Sequence, residues 1–110
     1  MTYKVFLSTE AEADLLEIWT YVAIHDSQGR ANQLFDNLKS TCFSLEEFPD
    51  RGHCPPELAR IHVREYAEIH FKPYRVIYRI DGQKVFIHAI FDGRRNLHDI
   101  LLERMLRISS

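Results

Sequence analysis

Apolar residues change their spacing once along this chain, from about 3.6 to about 2 near residue 61, which divides it into a helical half and a strand half. Tyr3 to Leu7 opens as a short β-prone strand. Thr9 and Glu12 have the spacing of a capping box, and Ala11, Leu15, Ile18 and Val22 follow at helical spacing, predicting a first helix that ends near His25. After the Asp26-Ser27-Gln28-Gly29 break, Ala31, Leu34, Leu38, Cys42 and Leu45 restore the period, and Phe48-Pro49 closes a second helix. Joined so tightly, the two helices form an antiparallel hairpin. Asp50 to Glu57, with Gly52 and Pro55-Pro56, reads as a loop.

Ile61 to Phe71, Tyr74 to Ile80 and Lys84 to Phe91 are rich in β-branched and aromatic residues and are parted by Lys72-Pro73 and Asp81-Gly82. Two-residue turns at both breaks set Ile69 opposite Val76, Ala67 opposite Tyr78, Tyr78 opposite Val85, Val76 opposite Ile87 and Tyr74 opposite Ala89. These positions make an apolar face for the helices. The opposite face then carries His70 beside Arg75 beside His88, with Arg79 and Lys84 further along and Arg94 just past the strand end. Leu97, Leu101 and Met105 suggest a short final helix. The resulting βααβββ order is an α+β fold: a helical hairpin packed on one face of a small antiparallel sheet, with a short C-terminal helix.

Composition supports a chain that folds unaided. With 110 residues and 45% hydrophobic positions, it has the size and apolar content of one domain spanning residues 1–110, without metal or disulfide staples. No stretch approaches the roughly 18 apolar residues of a membrane span, and MTYKVFLSTE lacks the h-region of a signal peptide, so the expectation is a cytoplasmic protein with no membrane partner. Cys42 and Cys54 have no metal or redox spacing and read as reduced thiols. The net charge of −2 conceals a strong polarity. Residues 1–50 hold 3 basic against 9 acidic residues, whereas residues 51–110 hold 11 against 7. The second half therefore suits nucleic acid, phosphates or an acidic partner chain.

The row on the open face has a possible chemistry. Arginine stabilises the charge that develops in phosphoryl transfer, and two histidines near neutral pKa could deprotonate a ribose 2′-hydroxyl and protonate the leaving oxygen without metal. Solvated outward positions of a half-exposed sheet explain the same residues without any site, and a bulge in either hairpin would dissolve the row. His53-Cys54 with His62 matches no zinc pattern, so neither metal nor cofactor is expected. Trp19 and Tyr21 read as packing aromatics, Cys42 as core, and Glu10, Glu12, Asp14 and Glu17 as acids that favour a helix start.

Ala11, Ala13-Asp14-Leu15, Ile18 and Tyr21, then Leu45 to Pro49, Arg64-Glu65-Tyr66, Tyr74-Arg75-Val76-Ile77-Tyr78-Arg79 and Asp92-Gly93-Arg94-Arg95 together resemble the RelE/ParE superfamily of bacterial toxins. The resemblance spans nearly the whole chain, and the YRVIYR segment with its GRR strand end is the specific part. It implies the toxin of a type II toxin-antitoxin system, neutralised by a cognate antitoxin and touching operator DNA only through it. RelE-like members cleave mRNA on the ribosome without metal. On that branch the resemblance places Arg75 and Arg94 as catalytic arginines, with His70 and His88 beside them. ParE-like members inhibit DNA gyrase and use no such residues. The segment after Arg95 contains no tyrosine, and the GRR ending is ParE-like, so the ParE branch is preferred. Arg64, Arg79, Arg94, Arg95, Leu97, Leu101 and Met105 are then the expected target or antitoxin contacts, the three apolar ones as exposed parts of the chain's end.

Overall fold

The computed structural model describes residues 2–109, with side chains through residue 104. Its elements run β1 (Lys4–Leu7), α1 (Thr9–His25), α2 (Gln28–Phe43), two 3₁₀ turns (Ser44–Glu46 and Pro49–Arg51), α3 (Pro56–Ala59), β2 (Ala67–Phe71), β3 (Tyr74–Asp81), β4 (Lys84–Asp92) and α4 (Leu97–Ser109). Both long helices begin one residue after a serine whose hydroxyl accepts a backbone N–H: Ser8 from Ala11 and Ser27 from Arg30, each at 3.1 Å. Ser8 thus replaces Thr9 as the first cap, and the break between the helices shrinks to Asp26-Ser27. Trp19 Nε1 donates to Asn32 Oδ1 at 2.8 Å, tying the hairpin across its open side.

The strand half differs from the expectation at both ends. Only Ala67–Phe71 of the expected Ile61–Phe71 strand pairs as β2, and Pro55-Pro56 starts α3 inside the expected loop, since proline's fixed φ suits the first helical positions. The sheet order is β1-β4-β3-β2, with β1 joining β4 in parallel while the other three strands run antiparallel.

The β2–β3 register is as expected, with His70 opposite Arg75. The β3–β4 register is not. Asp81 pairs with Lys84, so the turn is Gly82-Gln83, and Gly82 at φ +61° takes the first turn position, which only glycine adopts readily. Tyr78 therefore faces Ile87 in place of Val85. Between Ile77–Ala89 and Tyr78–Ile87 the ladder slips by one residue, leaving His88 as a bulge. Beyond it Val76 faces Ile90 and Tyr74 faces Asp92, so Ala89 moves to the opposite side of the sheet.

That bulge gives the molecule two cores. Ala11, Leu15, Leu38, Cys42 and Leu45 of the helical half pack on Ile69, Val76, Tyr78, Val85, Ile87 and Ile90. On the other face, Ile77, Ala89 and Phe91 are covered by Leu97 and Ile100 of α4. The face expected to be open is therefore partly closed, and Leu97, expected to be exposed, is 1% exposed. Burial pushes the Cys42 thiol up to about 12. Met105 lies outside the residues whose side chains are described.

Tyr78 locks the loop to this frame. Fully buried, its hydroxyl donates to the Pro49 carbonyl at 2.6 Å and accepts from the Gly52 N–H at 3.2 Å. A Cβ on Gly52 would lie 2.3 Å from that hydroxyl, so glycine is required there. Tyr78→Phe strands both loop groups, and a loss of about 1–3 kcal/mol is expected in urea denaturation, with the fold retained.

Candidate functional site

β2 and β3 bring Glu68, His70 and Arg75 to the same face, because residues two apart on a strand point the same way and His70 pairs directly with Arg75. Glu68 is the one buried charged residue among the described side chains, at 1% exposure. Arg75 Nε donates to its Oε1 and Nη2 to its Oε2, both at 2.7 Å. The far edge of the same guanidinium meets Glu57 on α3, through Nη1 at 2.8 Å and Nη2 at 2.9 Å. The stem of Arg75 passes beneath Gly93, where an added Cβ would sit 3.1 Å from its Cγ and Cδ, and its Cζ lies 5.5 Å from the Phe91 ring centre. Arg75 is thus held between two carboxylates, and its hydrogen bonds to Glu57 and then Glu68 raise its pKa still further.

The carboxylates respond in the opposite direction. Hydrogen bonds from Arg75 lower the Glu57 pKa below its ordinary value. Burial pulls Glu68 upward, but hydrogen bonds from Arg75 and His70 outweigh it and leave the group lowered. His70 Nε2 lies 2.5 Å from Glu68 Oε1. His53 sits across a backbone bridge, exchanging N–H to carbonyl bonds with Glu68 at 3.2 and 2.8 Å.

His88 does not join this group. Arg75 pairs with Phe91, and the bulge turns His88 toward Tyr66, with ring centres 5.5 Å apart. Its Nε2 is buried with no hydrogen-bond partner among the described residues. Burial, helped by Arg79 and Arg104, lowers its pKa, so the ring is neutral at pH 7. The expected row is thus broken: His70 and Arg75 stay together, His88 leaves, and two carboxylates and a second histidine enter. Of the weaker metal reading, only His53 is near; His62 lies in the turn after α3 at φ +63° and the Cys54 thiol turns to the Val63 carbonyl.

Past β4, Arg94 folds back on Asp92, whose pKa falls to about 2 chiefly through that hydrogen bond. The Arg94 side chain is still 81% exposed. Arg95 beside it is exposed, and both line a cleft of about 400 Å³ with Tyr21 and Tyr74.

A family model described as the ParE toxin of type II toxin-antitoxin systems, parDE, matches residues 5–97. The chain belongs to the ParE toxin family. Toxin ParE3 of Caulobacter vibrioides (strain ATCC 19089 / CIP 103742 / CB 15) is 29% identical over 94 residues, covering 86% of this chain and 90% of its own length. In fold, this ParE-family chain resembles the chromosomal ParDE TA system from P. aeruginosa, with a TM-score of 0.70 at 16% identity over 83% of this chain and 96% of that one. It also resembles the toxin-antitoxin complex RelBE2 from Mycobacterium tuberculosis, with a TM-score of 0.63 at 20% identity over 84% and 99%. The family match stops where α4 begins, so the second core draws on residues outside it.

The sequence reading passed over Glu57 and Glu68 as site residues and weighed His53 only beside Cys54 and His62, a grouping it set aside. Glu68 had a usable signal, since it stands two residues before His70 on a strand opposite Arg75. Glu57, and the pairing of His53 with Glu68, had none, as α3 and the bridge that position them lie in a segment without periodicity.

Proposed function

We propose that this ParE-family chain is the toxin of a toxin-antitoxin pair, neutralised by a cognate antitoxin, and that it inhibits DNA gyrase by binding and breaks no bond itself. The observation that carries this reading is the occupied state of Arg75. A ribonuclease needs that guanidinium free for a phosphate, yet its donors already serve Glu57 and Glu68, and an RNA phosphate would have to enter beside two carboxylates. The displaced His88 points the same way, because the bulge takes it away from Arg75, which pairs with Phe91. The ParDE and RelBE2 names of the matched structures support an antitoxin partner.

In this reading the toxin works in the cytoplasm, where its target is, and reaches operator DNA only with its antitoxin; among the described residues no helix is long and apolar enough to cross a membrane. The contact surface is the exposed basic end formed by Arg94 and Arg95, with Arg64 and Arg79 as outer contacts. Leu101 contributes at the rim of an apolar cleft that also includes Ile61, Tyr66 and Leu102. Purified toxin is expected to block supercoiling by gyrase while leaving RNA intact. Truncating Arg94 and Arg95 together to alanine should weaken the block about tenfold, equivalent to roughly 1.4 kcal/mol of contact energy. Undisturbed supercoiling at high toxin excess, with cleavage of translated mRNA, would reverse the assignment.

A further inference from the structure

Between α3, the His53 bridge and β2 lies a cleft of about 500 Å³ that the binding function above does not use. At its floor His53, Glu68 and His70 each present one ligand atom, all within 4.8 Å of one another. We propose that these three residues form a zinc-class metal site, with His53 Nε2, His70 Nε2 and the Glu68 carboxylate holding one divalent ion and the remaining position open to the cleft.

Three features of the backbone assemble this set. Glu68 and His70 share a face because they are two apart on β2. His53 is fixed opposite Glu68 by reciprocal backbone hydrogen bonds, which close only because Gly52 before it has no Cβ to meet the Glu68 carbonyl, 2.8 Å from where one would stand. The two imidazoles then meet edge to face with centres 5.5 Å apart.

The distances suit an ion after small adjustments. His70 Nε2 is 2.5 Å from Glu68 Oε1 and His53 Nε2 3.9 Å from Glu68 Oε2. Zinc–ligand bonds of about 2.0–2.2 Å put tetrahedral donors roughly 3.3 Å apart, so the first gap opens and the second closes, each by less than about 1 Å. The rings are free to do this, being 61% and 41% exposed, while Glu68 stays fixed at 1%.

Two imidazoles and one carboxylate are the donor set of zinc sites that keep an open position, and borderline ions prefer them to magnesium or calcium. Arg75 holds both Glu68 oxygens from behind, as the outer partners of ligating carboxylates do. Glu57, Glu68 and Arg75 sum to one negative charge, which a divalent ion reverses. Arg60 and Lys72, which also line the cleft, then favour an anion or hydroxide in the open position. Cys54 is excluded as a ligand, since its thiol lies 3.4 Å from the Val63 carbonyl.

The ion also joins the 44–66 segment to the sheet, so binding raises thermal stability. The test is a titration of untagged, chelator-stripped protein with Co²⁺, followed by Zn²⁺. The expected result is one equivalent of cobalt with visible d–d absorption and no thiolate charge-transfer band, displacement by Zn²⁺, and a raised melting temperature. His53→Ala and His70→Ala should each abolish the absorption and the thermal shift with an unchanged circular dichroism spectrum, whereas His62→Ala and Cys54→Ser should retain both. Absent cobalt absorption, or absorption that survives both substitutions in folded protein, overturns the site. Neither readout involves gyrase, so the outcome is separate from that of the supercoiling assay.

Discussion

Arg75→Ala is expected to remove roughly 3–5 kcal/mol of folding stability, the range for breaking a buried ion pair at one partner. Glu68 decides the magnitude: it is 1% exposed, and without Arg75 it loses two charge-assisted hydrogen bonds that its buried carboxylate cannot fully replace with water. Glu57→Ala tests the opposite end of the guanidinium. Its side chain is 30% exposed and returns to water when unpaired, so under about 1 kcal/mol is expected there. Replacing Glu68 and Arg75 together by leucine and methionine should recover most of the loss, because the deficit arises from a charge left alone and an apolar pair of similar volume leaves none. Urea denaturation of the single and double variants measures all three.

The same pair sets an acid dependence. Glu57 and Glu68 have folded pKa values below their ordinary 4.5, so their contribution is complete above that value and disappears as pH falls through the folded values. Arg75→Ala removes the cause of the lowering. The stability gap between wild type and variant should therefore narrow progressively below pH 4.5, and a gap that is constant down to acid unfolding would contradict the assignment.

What the sequence revealed and what it concealed follow from how local the determinants are. The hairpin was legible because Ala11, Leu15, Leu38 and Cys42 report their burial through spacing within their own helices. The β2–β3 register was legible because the two residues of the Lys72-Pro73 turn fix it. The β3–β4 register was not, since moving the turn by one residue to Gly82-Gln83 shifts every pair by two while preserving the apolar alternation that sequence reading relies on. The bulge at His88 was also silent. It changes the side on which Ala89 and Phe91 lie, and this is visible only once α4 is there to cover them. Hence the expected row parts at His88, while His70 and Arg75 remain directly paired. The family resemblance survived because it rests on the order of segments, which the slip leaves intact.

Asp14 shows the same limit at the longest range, and Arg104→Ala is the second large effect expected. The acids at the start of α1 looked interchangeable, yet Asp14 turns inward, where its Oδ2 accepts from the Ile90 N–H at 2.9 Å beside the bulge. Arg104 from α4 reaches the same carboxylate through Nη2 at 2.5 and 2.6 Å and gives Nη1 to the His88 carbonyl at 2.7 Å. One guanidinium thus closes the bulge, pairs the half-buried acid and fastens α4 over the second core. Without it, Asp14 and the His88 carbonyl both lose charged donors, and about 2–4 kcal/mol should be lost at pH 7, with α4 amides exchanging before the rest of the chain.

Protonation limits that loss. Burial already holds the Asp14 pKa above its ordinary 3.8, with Arg104 as the main opposing influence, so removing Arg104 raises it further. A carboxyl group whose folded pKa exceeds its unfolded one destabilises most above the folded value and not at all below the unfolded one. The deficit of Arg104→Ala should accordingly be smaller at pH 5 than at pH 8, and Asp14→Asn introduced into that variant should flatten the difference. A deficit independent of pH would mean that Arg104 fastens α4 through the His88 carbonyl, and that its ion pair with Asp14 contributes nothing to the fold.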